Sequence, residues 1–391
     1  MKGTVRKRKY RSGRISWCYE IDAPRDQVEE RVRITRSGFR TQGEALEALS
    51  KEVAAYAEGK YVRRSRQTLA QYLETWLTEH ADSNLVGKTT ERYRELVEKY
   101  IAPRIGHIPL QELDPFQLER MYADLRKKGG LRGKPLSPRT VQQIHAVINS
   151  ALNRAVRWKQ LVVNPAKACE LPKREHRDVI MPDESDTKLI LESLKSTELY
   201  LVALIAAHTG MRRGEILALA WACIDFDANV MKVSRSLQET RAGGLKFKTP
   251  KSRKPREFPF SSVLRNALLA HRTRQEANRQ LFGPDYRAEL DLVVCEANGA
   301  AIHPDRFSSA YCRHIKKIGK RGMSLHTLRH SHASTLLANG VPVTAVSKRL
   351  GHAQVSTTLN IYSHAFSRDE LRAAEVMDQV YGESEQPKLI Q

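Results

Sequence analysis

The chain has 391 residues, 41% of them hydrophobic, which is enough for two or three folded domains and argues against wholesale disorder. Lys and Arg number 66 against 44 Asp and Glu, and this net charge of +22 indicates a polyanionic partner, most often nucleic acid. The five cysteines are scattered without a Cys-x-x-Cys pair, which argues against a disulfide framework and a cysteine zinc site.

Residues 1–64 form the first predicted domain. Its basic beginning lacks the apolar region of a signal peptide. Two short strands are predicted at 15–21 (ISWCYEI) and 31–36 (RVRITR), and the capping-box spacing of TQGE predicts a helix from Thr41. The apolar positions at helical spacing in this helix are Leu46, Leu49, Val53 and Tyr56. A small basic sheet backed by a helix suits a reader of DNA grooves, and an extension that packs on the next domain is the alternative.

Residues 66–172 form the second predicted domain, a bundle of four amphipathic helices. One apolar stripe follows a Thr68 cap, and two further helices begin with a capping residue and Pro, at 114–125 and 137–156. The stripe residues of the first two helices are Leu69, Tyr72, Leu73, Trp76 and Leu77, then Tyr93, Leu96, Val97, Tyr100 and Ile101. The basic residues expected on the outer faces are Lys88, Arg92, Lys99, Arg139, Arg154 and Arg157.

Residues 178–382 form the third predicted domain, after a linker rich in Pro and charge, and 383–391 form a flexible tail. Two stretches, 224–237 and 245–260, are predicted to form one small antiparallel sheet, with helices from Ser261 onwards. The predicted fold class is therefore multi-domain, mainly α with small antiparallel sheets (α+β). The longest apolar run, LYLVALIAA, is too short to cross a bilayer, so we expect a cytoplasmic protein without membrane contact.

The stretch HTLRHSH packs three histidines and an arginine into seven positions from His326. On a helix, His326 and His330 are four residues apart, as two zinc ligands could be, but the glutamate of HExxH is missing and Arg329 is a poor neighbour for a divalent cation. We therefore predict no metal and no cofactor. His332, and with less reason His330, is predicted either to pack in the core or to support a neighbouring site residue. His326 and Arg329 point to an anion, because a buried Arg needs one.

Further residues of the same chemistry occur in TGMRRGEI, KFKTPKSRK and LGHAQVSTTLNIYSH. Gly210 makes a turn before Arg212, which Glu215 can orient one helical turn later. Two arginines, two histidines, a lysine and a tyrosine are sufficient for phosphoryl transfer without a metal. The arginines bind the non-bridging oxygens, the tyrosine attacks phosphorus, and a lysine or histidine protonates the departing oxygen.

TGMRRGEI, HTLRH, LGH and IYSH, in this order and spacing, resemble the signature of the tyrosine recombinases, especially the phage and conjugative-element integrases. The resemblance implies that Arg212 is the first catalytic arginine, with Glu215 supporting it, and that Tyr362 is the nucleophile. It makes His326, Arg329 and His352 phosphate binders and Lys248 the general acid. Lys246 and Lys251 remain alternatives to Lys248.

The family also implies roles for the other domains and for partners. Residues 1–64 resemble an arm-type DNA-binding domain with a three-stranded sheet, and 66–172 a core-binding (SAM-like) domain. The implied function is site-specific integration and excision of a prophage or other mobile element through a 3′-phosphotyrosine, by a homotetramer on double-stranded DNA with core and arm attachment sites. An excisionase or other directionality factor and a host DNA-bending protein are candidate further partners. A type IB topoisomerase-like enzyme and a non-enzymatic basic DNA-binding regulator are the alternative functions.

Overall fold

A computed structural model of the chain describes residues 3–9, 15–22, 33–58, 61–81, 87–130, 133–173, 182–240, 243–249, 255–362 and 369–381. The chain divides into two compact units, Met1–His176 and Arg177–Gln391. The described residues are mainly helical with small antiparallel sheets, which confirms the predicted fold class. The bounds of the three predicted domains stay a prediction. No helix among these described ranges is both long and apolar enough to cross a membrane.

The first unit begins with a three-stranded antiparallel sheet covered by one helix. Its elements are β1 (Gly3–Lys9), β2 (Ile15–Asp22), β3 (Arg33–Phe39) and α1 (Gln42–Ala57). β2 lies in the centre and pairs with both other strands. Tyr19 and Ile21 of β2 pack on Leu49 of α1, which forms a small apolar core.

Two details of this sheet and helix differ from the sequence expectation. Leu46 is 55% exposed, because Ala45 and Leu49 are the apolar residues that α1 buries, so its assignment to the apolar stripe was wrong. β1 was not identified from its residues, because GTVRKRK is a largely exposed edge strand with little apolar alternation. At the helix start, Thr41 Oγ1 accepts from the Glu44 backbone N–H as predicted, but the Glu44 carboxylate accepts from Arg40 N–H.

The rest of the first unit is the predicted helical bundle. The α-helices are α2 (Leu69–Trp76), α3 (Gly87–Leu96), α4 (Ala102–Ile105), α5 (Pro115–Lys128) and α6 (Pro138–Arg157). Single π-helical turns, Leu77–Ala81 and Val97–Ile101, continue α2 and α3. Leu73, Trp76 and Ile144 belong to a continuous apolar core. On the outer face, Arg92 and Lys99 both pair with Glu95.

The second unit is built around one helix that is buried on nearly all sides. Its helices are α7 (Glu184–Leu194), α8 (Tyr200–Thr209), α9 (Arg213–Ile216), α10 (Ser262–Phe282), α11 (Pro304–Lys317), α12 (Leu325–Ala338), α13 (Val343–Leu350), α14 (Val355–Tyr362) and α15 (Asp369–Tyr381). α8 buries residues 201–206 and packs against α7, α9, α10 and α12. The end of α8 and the start of α12 therefore meet in the interior of this unit.

The strands of the second unit form two antiparallel sheets in the described residues, so the prediction of one sheet was wrong. β4 (Ile224–Asp225), β5 (Val230–Val233) and β8 (Arg256–Pro259) form the first sheet, and β6 (Ser236–Thr240) and β7 (Gly244–Lys248) form a hairpin. The chain leaves the first sheet after β5, where the Arg235 side chain donates to Ala218 O and Leu290 O. β8 then pairs with β5.

Candidate active site

Arg329 is a fully buried arginine on α12 and lies at the centre of the candidate site. It is 2% exposed and donates to Gly210 O at 2.5 Å and to Leu350 O at 2.7 Å, the carbonyls at the ends of α8 and α13. Burial, then the positive charge of Arg212, lowers the pKa of Arg329 to about 9. The guanidinium therefore stays charged at neutral pH, with two carbonyl oxygens as its hydrogen-bond acceptors.

Glycines end the two helices that supply these carbonyls. Gly210 follows α8 with φ 66° and Gly351 follows α13 with φ 67°, the left-handed conformation that glycine adopts without steric cost. A Cβ at Gly210 would lie 2.8 Å from the His332 ring, and one at Gly351 would lie 2.9 Å from the Arg256 guanidinium. Glycine is thus required here both for the turn and for the close approach of site residues.

Arg212 and Glu215 form the second part of the site, as predicted from their spacing. Arg212 Nη1 donates to Glu215 Oε1 at 3.0 Å, the Arg212 backbone N–H donates to Oε2 at 2.9 Å, and Nη2 donates to Gly351 O at 3.2 Å. Glu215 is only 1% exposed. Burial alone would raise the pKa of its carboxyl, but the contacts with Arg256 and Arg212 outweigh burial, so the pKa is lowered.

Arg256 is a site residue that the sequence analysis missed. Its guanidinium donates to Glu215 Oε2 at 2.6 Å and Oε1 at 3.1 Å, and its Nε donates to Arg349 O at 2.9 Å. The available signal was strand alternation, since Arg256 and Phe258 lie on the buried face of β8. A charged residue at an inward position predicts a buried partner. The guanidinium groups of Arg212 and Arg256 contact one carboxylate, and the charge of Arg329 lies close enough to interact with all three groups, so this network carries net positive charge.

Two histidines of α12 and the predicted nucleophile lie next to one another. The His326 and His330 rings meet edge to face, with centroids 4.7 Å apart. His330 Nδ1 lies 2.7 Å from Tyr362 Oη. Burial, then the charges of Arg329 and Arg212, lowers the pKa of His326, and burial raises the pKa of Tyr362 to about 12 against the opposing charge of Arg329.

His330 therefore does more than pack. The sequence analysis left open whether it packs in the core or supports a site residue, and its ring contacts the hydroxyl of Tyr362. His332 does occupy a buried position, where Nδ1 lies 2.8 Å from Ala207 O and Nε2 accepts from Arg349 Nε. The two histidines thus lie in different surroundings although they are two residues apart.

His352 follows the Gly351 turn and contacts Thr358 Oγ1 through Nδ1 at 2.8 Å. Burial, followed by Arg329 and Arg212, lowers the pKa of His352 to about 4. The same two arginines lower the pKa of His326, so both imidazoles lie within the field of one positive cluster. Six of the seven predicted site residues converge in this way, namely Arg212, Glu215, His326, Arg329, His352 and Tyr362.

Lys248, the seventh, lies at the end of β7 on the hairpin beside α9. It pairs with Ser236, and a Cβ built on Gly214 of α9 would lie 2.6 Å from Ser236 Oγ. Lys246 lies two residues nearer the turn on the same face of the strand and is more exposed. Lys251 lies outside the described residues. In this register Lys248 pairs with Ser236, the strand residue beside Gly214 of α9, whereas Lys246 pairs with Gln238. The role of Lys248 stays a prediction.

No group of three or more His, Cys, Asp or Glu side chains that could hold a metal is found in the described part of the chain.

Comparison with known proteins assigns the chain to a family. Residues 182–368 match the Phage integrase family, and residues 68–126 match the phage integrase N-terminal SAM-like domain, which together cover more than half of the chain. The chain belongs to the phage integrase family of tyrosine recombinases. It is 26% identical over 373 residues to a tyrosine recombinase XerC-like protein of Caldanaerobacter subterraneus subsp. tengcongensis, covering 90% of this chain and 94% of the relative.

Two solved structures share the fold. The integrase of the transposon Tn1549 in complex with transposon right end DNA matches with a TM-score of 0.67 at 20% identity, covering 80% of this chain and 99% of that one. A lambda integrase tetramer bound to a Holliday junction matches with a TM-score of 0.53 at 16% identity, covering 90% and 96%. Because this chain belongs to the family, it is a site-specific recombinase. The alternative functions, a type IB topoisomerase-like enzyme and a non-enzymatic DNA-binding regulator, are not favoured.

Proposed function

We propose that this recombinase integrates and excises a mobile element by cutting and rejoining DNA. Six of its side chains act on one phosphodiester of the DNA. Tyr362 Oη attacks phosphorus, the P–O5′ bond breaks, and a 3′-phosphotyrosine and a free 5′-hydroxyl result. The 5′-hydroxyl of a partner strand then attacks the phosphotyrosine and releases Tyr362. Because the phosphotyrosine conserves the phosphoester bond, the exchange needs no ATP.

The observation that carries this proposal is the convergence of Arg212, Arg329 and Tyr362. Arg329 and Arg212 lower the pKa of the same histidines, and the charge of Arg329 acts on Tyr362. Two guanidinium groups stabilise the negative charge that develops on the non-bridging oxygens in the transition state. His326 and His352 donate hydrogen bonds to the same phosphate.

Glu215 and Lys248 complete the proposed chemistry. Glu215 fixes Arg212 by accepting from both its side chain and its backbone N–H. Lys248 gives a proton to the departing 5′-oxygen. The position of Lys248 on the hairpin beside α9 supports this role. Tyr362 contacts His330 of its own chain, which favours cleavage by the same protomer that binds the phosphate.

Covalent capture of DNA tests the assignment of the nucleophile. Sequencing the junctions formed by the host element identifies the core site, and a nicked duplex of that sequence traps the covalent complex. Tyr362→Phe should abolish the covalent band on a denaturing gel while leaving DNA binding intact. Tyr311→Phe is the matched control, because Tyr311 is buried in the same unit and its hydroxyl has no hydrogen-bond partner among the described residues. A Tyr362→Phe protein that still forms the covalent complex would refute the proposal.

We propose further that four protomers hold two duplexes. α15 exposes Val376, Met377 and Val380, which supports a contact of this helix with a neighbouring protomer. An assay with two specific duplexes should give exchanged products, whereas a topoisomerase would relax supercoils without exchange. Duplex affinity should fall with salt by roughly 0.9 in the log–log slope for each neutralised phosphate.

The first unit is proposed to bind DNA as well. The sheet of β1–β3 would read arm-type sites, and the bundle and the second unit would each contact the core site. The excess of positive charge over the whole chain supports DNA binding. We place the protein on DNA in the cytoplasm of a bacterial host, with a directionality factor and a DNA-bending protein as partners to be sought among proteins of that host and element.

A further inference from the structure

The hydroxyl of Tyr362 must lose its proton when it attacks phosphorus, and its surroundings identify the acceptor. Tyr362 is 1% exposed, so bulk water does not reach the hydroxyl directly. Among the described residues, Tyr362 Oη contacts His330 Nδ1 at 2.7 Å. A general base must lie within hydrogen-bond distance of the proton that it removes, and His330 meets this requirement.

We propose that His330 is a further catalytic residue, the base that accepts the Tyr362 proton as the tyrosine oxygen attacks the scissile phosphate. This inference rests on the proposed function of Tyr362. In the cleavage step, the Oη–P bond forms, the Oη–H proton moves to His330 Nδ1, the P–O5′ bond breaks, and the 5′-oxygen takes a proton from Lys248. In the rejoining step, His330 returns the proton to the departing Tyr362 oxygen, and Lys248 takes one from the attacking 5′-hydroxyl.

The fold holds His330 in position for this role. His330 lies one helical turn after His326 on α12, and the His326 ring packs edge to face on it. The rings of His330 and Tyr362 have centroids 5.6 Å apart at an angle of 54°, so Tyr362 Oη approaches the edge of the imidazole. The imidazole is thus fixed between its own helix and α14, with Nδ1 directed at the nucleophile.

Burial and the charges around His330 keep it neutral and able to accept a proton. Burial, then His326 and Arg329, lowers the pKa of His330 to about 4. His352 also faces it, because His330 is one of the groups that lower the pKa of His352. A phosphodiester bound by Arg329 and Arg212 adds negative charge beside the ring. That charge offsets the arginines and raises the basicity of His330 when the substrate arrives.

The test is the rate of covalent complex formation in a single turnover by the full chain, using a duplex that carries the core site. His330→Ala removes both the hydrogen bond and the base. His330→Asn keeps an acceptor, because Asn Oδ1 can take the place of Nδ1, but it cannot hold the proton. We expect both variants to react roughly 100-fold or more slowly than the wild type. The rate of His330→Asn should also rise about tenfold per pH unit between pH 7 and 10, because a tyrosinate must form without a base.

His314→Asn is the matched control. His314 is another part-buried histidine of the second unit, and its Nε2 contacts a hydroxyl, Ser193 Oγ, at 3.2 Å on α7. We expect the wild-type rate for this variant. DNA affinity and thermal unfolding of all variants, measured in parallel, separate a slow reaction from a protein that is not folded.

A second duplex distinguishes the base from the acid. When sulfur replaces the 5′-oxygen at the scissile bond, the leaving group needs no proton. Lys248→Ala should then recover its rate, whereas His330→Asn should stay slow. Two results would overturn the role of His330. One is that the rate of His330→Asn recovers on the sulfur duplex, and the other is that its rate on the oxygen duplex is within threefold of the wild type. The proposed function fails on a different result, namely a wild type without covalent complex or a Tyr362→Phe protein that still forms it.

Discussion

The core of the helical bundle and the candidate active site are two buried centres that are built from different kinds of residue. The bundle of the first unit is filled by Leu73, Trp76, Ile144 and other apolar side chains at helical spacing. The second unit has an apolar core of its own around α8, and beside it, where α8, α12 and α13 end or begin, the candidate site buries Arg329, Glu215 and Arg256. The first centre is stabilised by the removal of apolar surface from water, and the second by charge pairs and hydrogen bonds that must all be made together.

This difference decides how each centre responds to a change. An apolar core loses stability in proportion to the volume removed, and neighbouring side chains relax in part. A buried charge network loses much more than the value of one contact, because the remaining charge is left without a partner. Substitutions in the buried charge network should therefore affect stability and catalysis together, and those in the bundle should affect stability first.

The largest effect is expected for Glu215→Ala. This change leaves Arg212 and Arg256 without the carboxylate that both contact, at a cost of about 3–5 kcal/mol in the free energy of unfolding. Recombination should fall by roughly three orders of magnitude or more, because Arg212 is no longer fixed. The measurements are chemical denaturation and the two-duplex assay.

Glu257→Ala is the control for this prediction, because Glu257 lies next to Arg256 in the chain but forms an exposed pair with Lys232. That surface pair should be worth about 1 kcal/mol or less. Equal losses in the two variants would mean that the buried network has no special importance.

The next effect is expected for Leu73→Ala in the bundle. Leu73 is fully buried, and its truncation should lower the free energy of unfolding by about 3 kcal/mol. Leu46→Ala is the matched control, since Leu46 is 55% exposed, and it should change stability by about 0.5 kcal/mol at most. Calorimetry of the full chain gives both values. A loss of covalent capture in Leu73→Ala at a temperature where the chain remains folded would contradict the separation of the two centres.

The same difference explains what the sequence could predict. The stripe around Leu73 and Trp76 has a helical period, so the bundle followed directly from the pattern. α12 buries Arg329 and His332 among apolar residues, and such a helix has no apolar stripe from which its buried face can be read. Its identification depended on motifs and their spacing.

The residues that escaped prediction were those whose partners lie far away in the chain. Arg256 contacts Glu215 across 41 positions, and His330 contacts Tyr362 across 32. No local pattern encodes such a pair, because it forms only when β8, α9, α12 and α14 have packed. Glu215 and Arg212 were predictable because three residues on a helix bring them together.

A smaller effect is expected from pH, and it should appear in the second unit. Burial, and after it the charge of Arg349, lowers the pKa of His332 to about 4. The hydrogen bond with Ala207 O raises this pKa, and His208 and Arg329 lower it further. The folded pKa is below the unfolded value, so the unfolded state binds more protons between pH 4 and 6.5, and stability falls as the pH drops through this window. For His332 alone, a change from pH 6.5 to 5 should cost about 2 kcal/mol.

Calorimetry at pH 7.5, 6.5 and 5 measures this loss. The transition that Leu73→Ala lowers belongs to the first unit, and the other transition should move more with acid. Equal movement of both transitions would mean that the buried histidines of the second unit do not control its acid stability.

The smallest effect is expected at the start of α5, and it shows how local the energetics of the bundle are. Asp114 Oδ1 accepts from the Gln117 backbone N–H at 2.8 Å, and Gln117 Oε1 accepts from the Asp114 N–H at 3.1 Å, which satisfies two donors at the helix start. Asp114→Ala should lower stability by about 1 kcal/mol. The stability of Asp114→Asn should stay close to that of the wild type, because Asn caps equally well.

Since the cap touches neither buried centre, both variants should keep the wild-type rate of covalent capture. A reduced rate in Asp114→Ala, with the first unit still folded, would show that the helix start matters beyond its own hydrogen bonds.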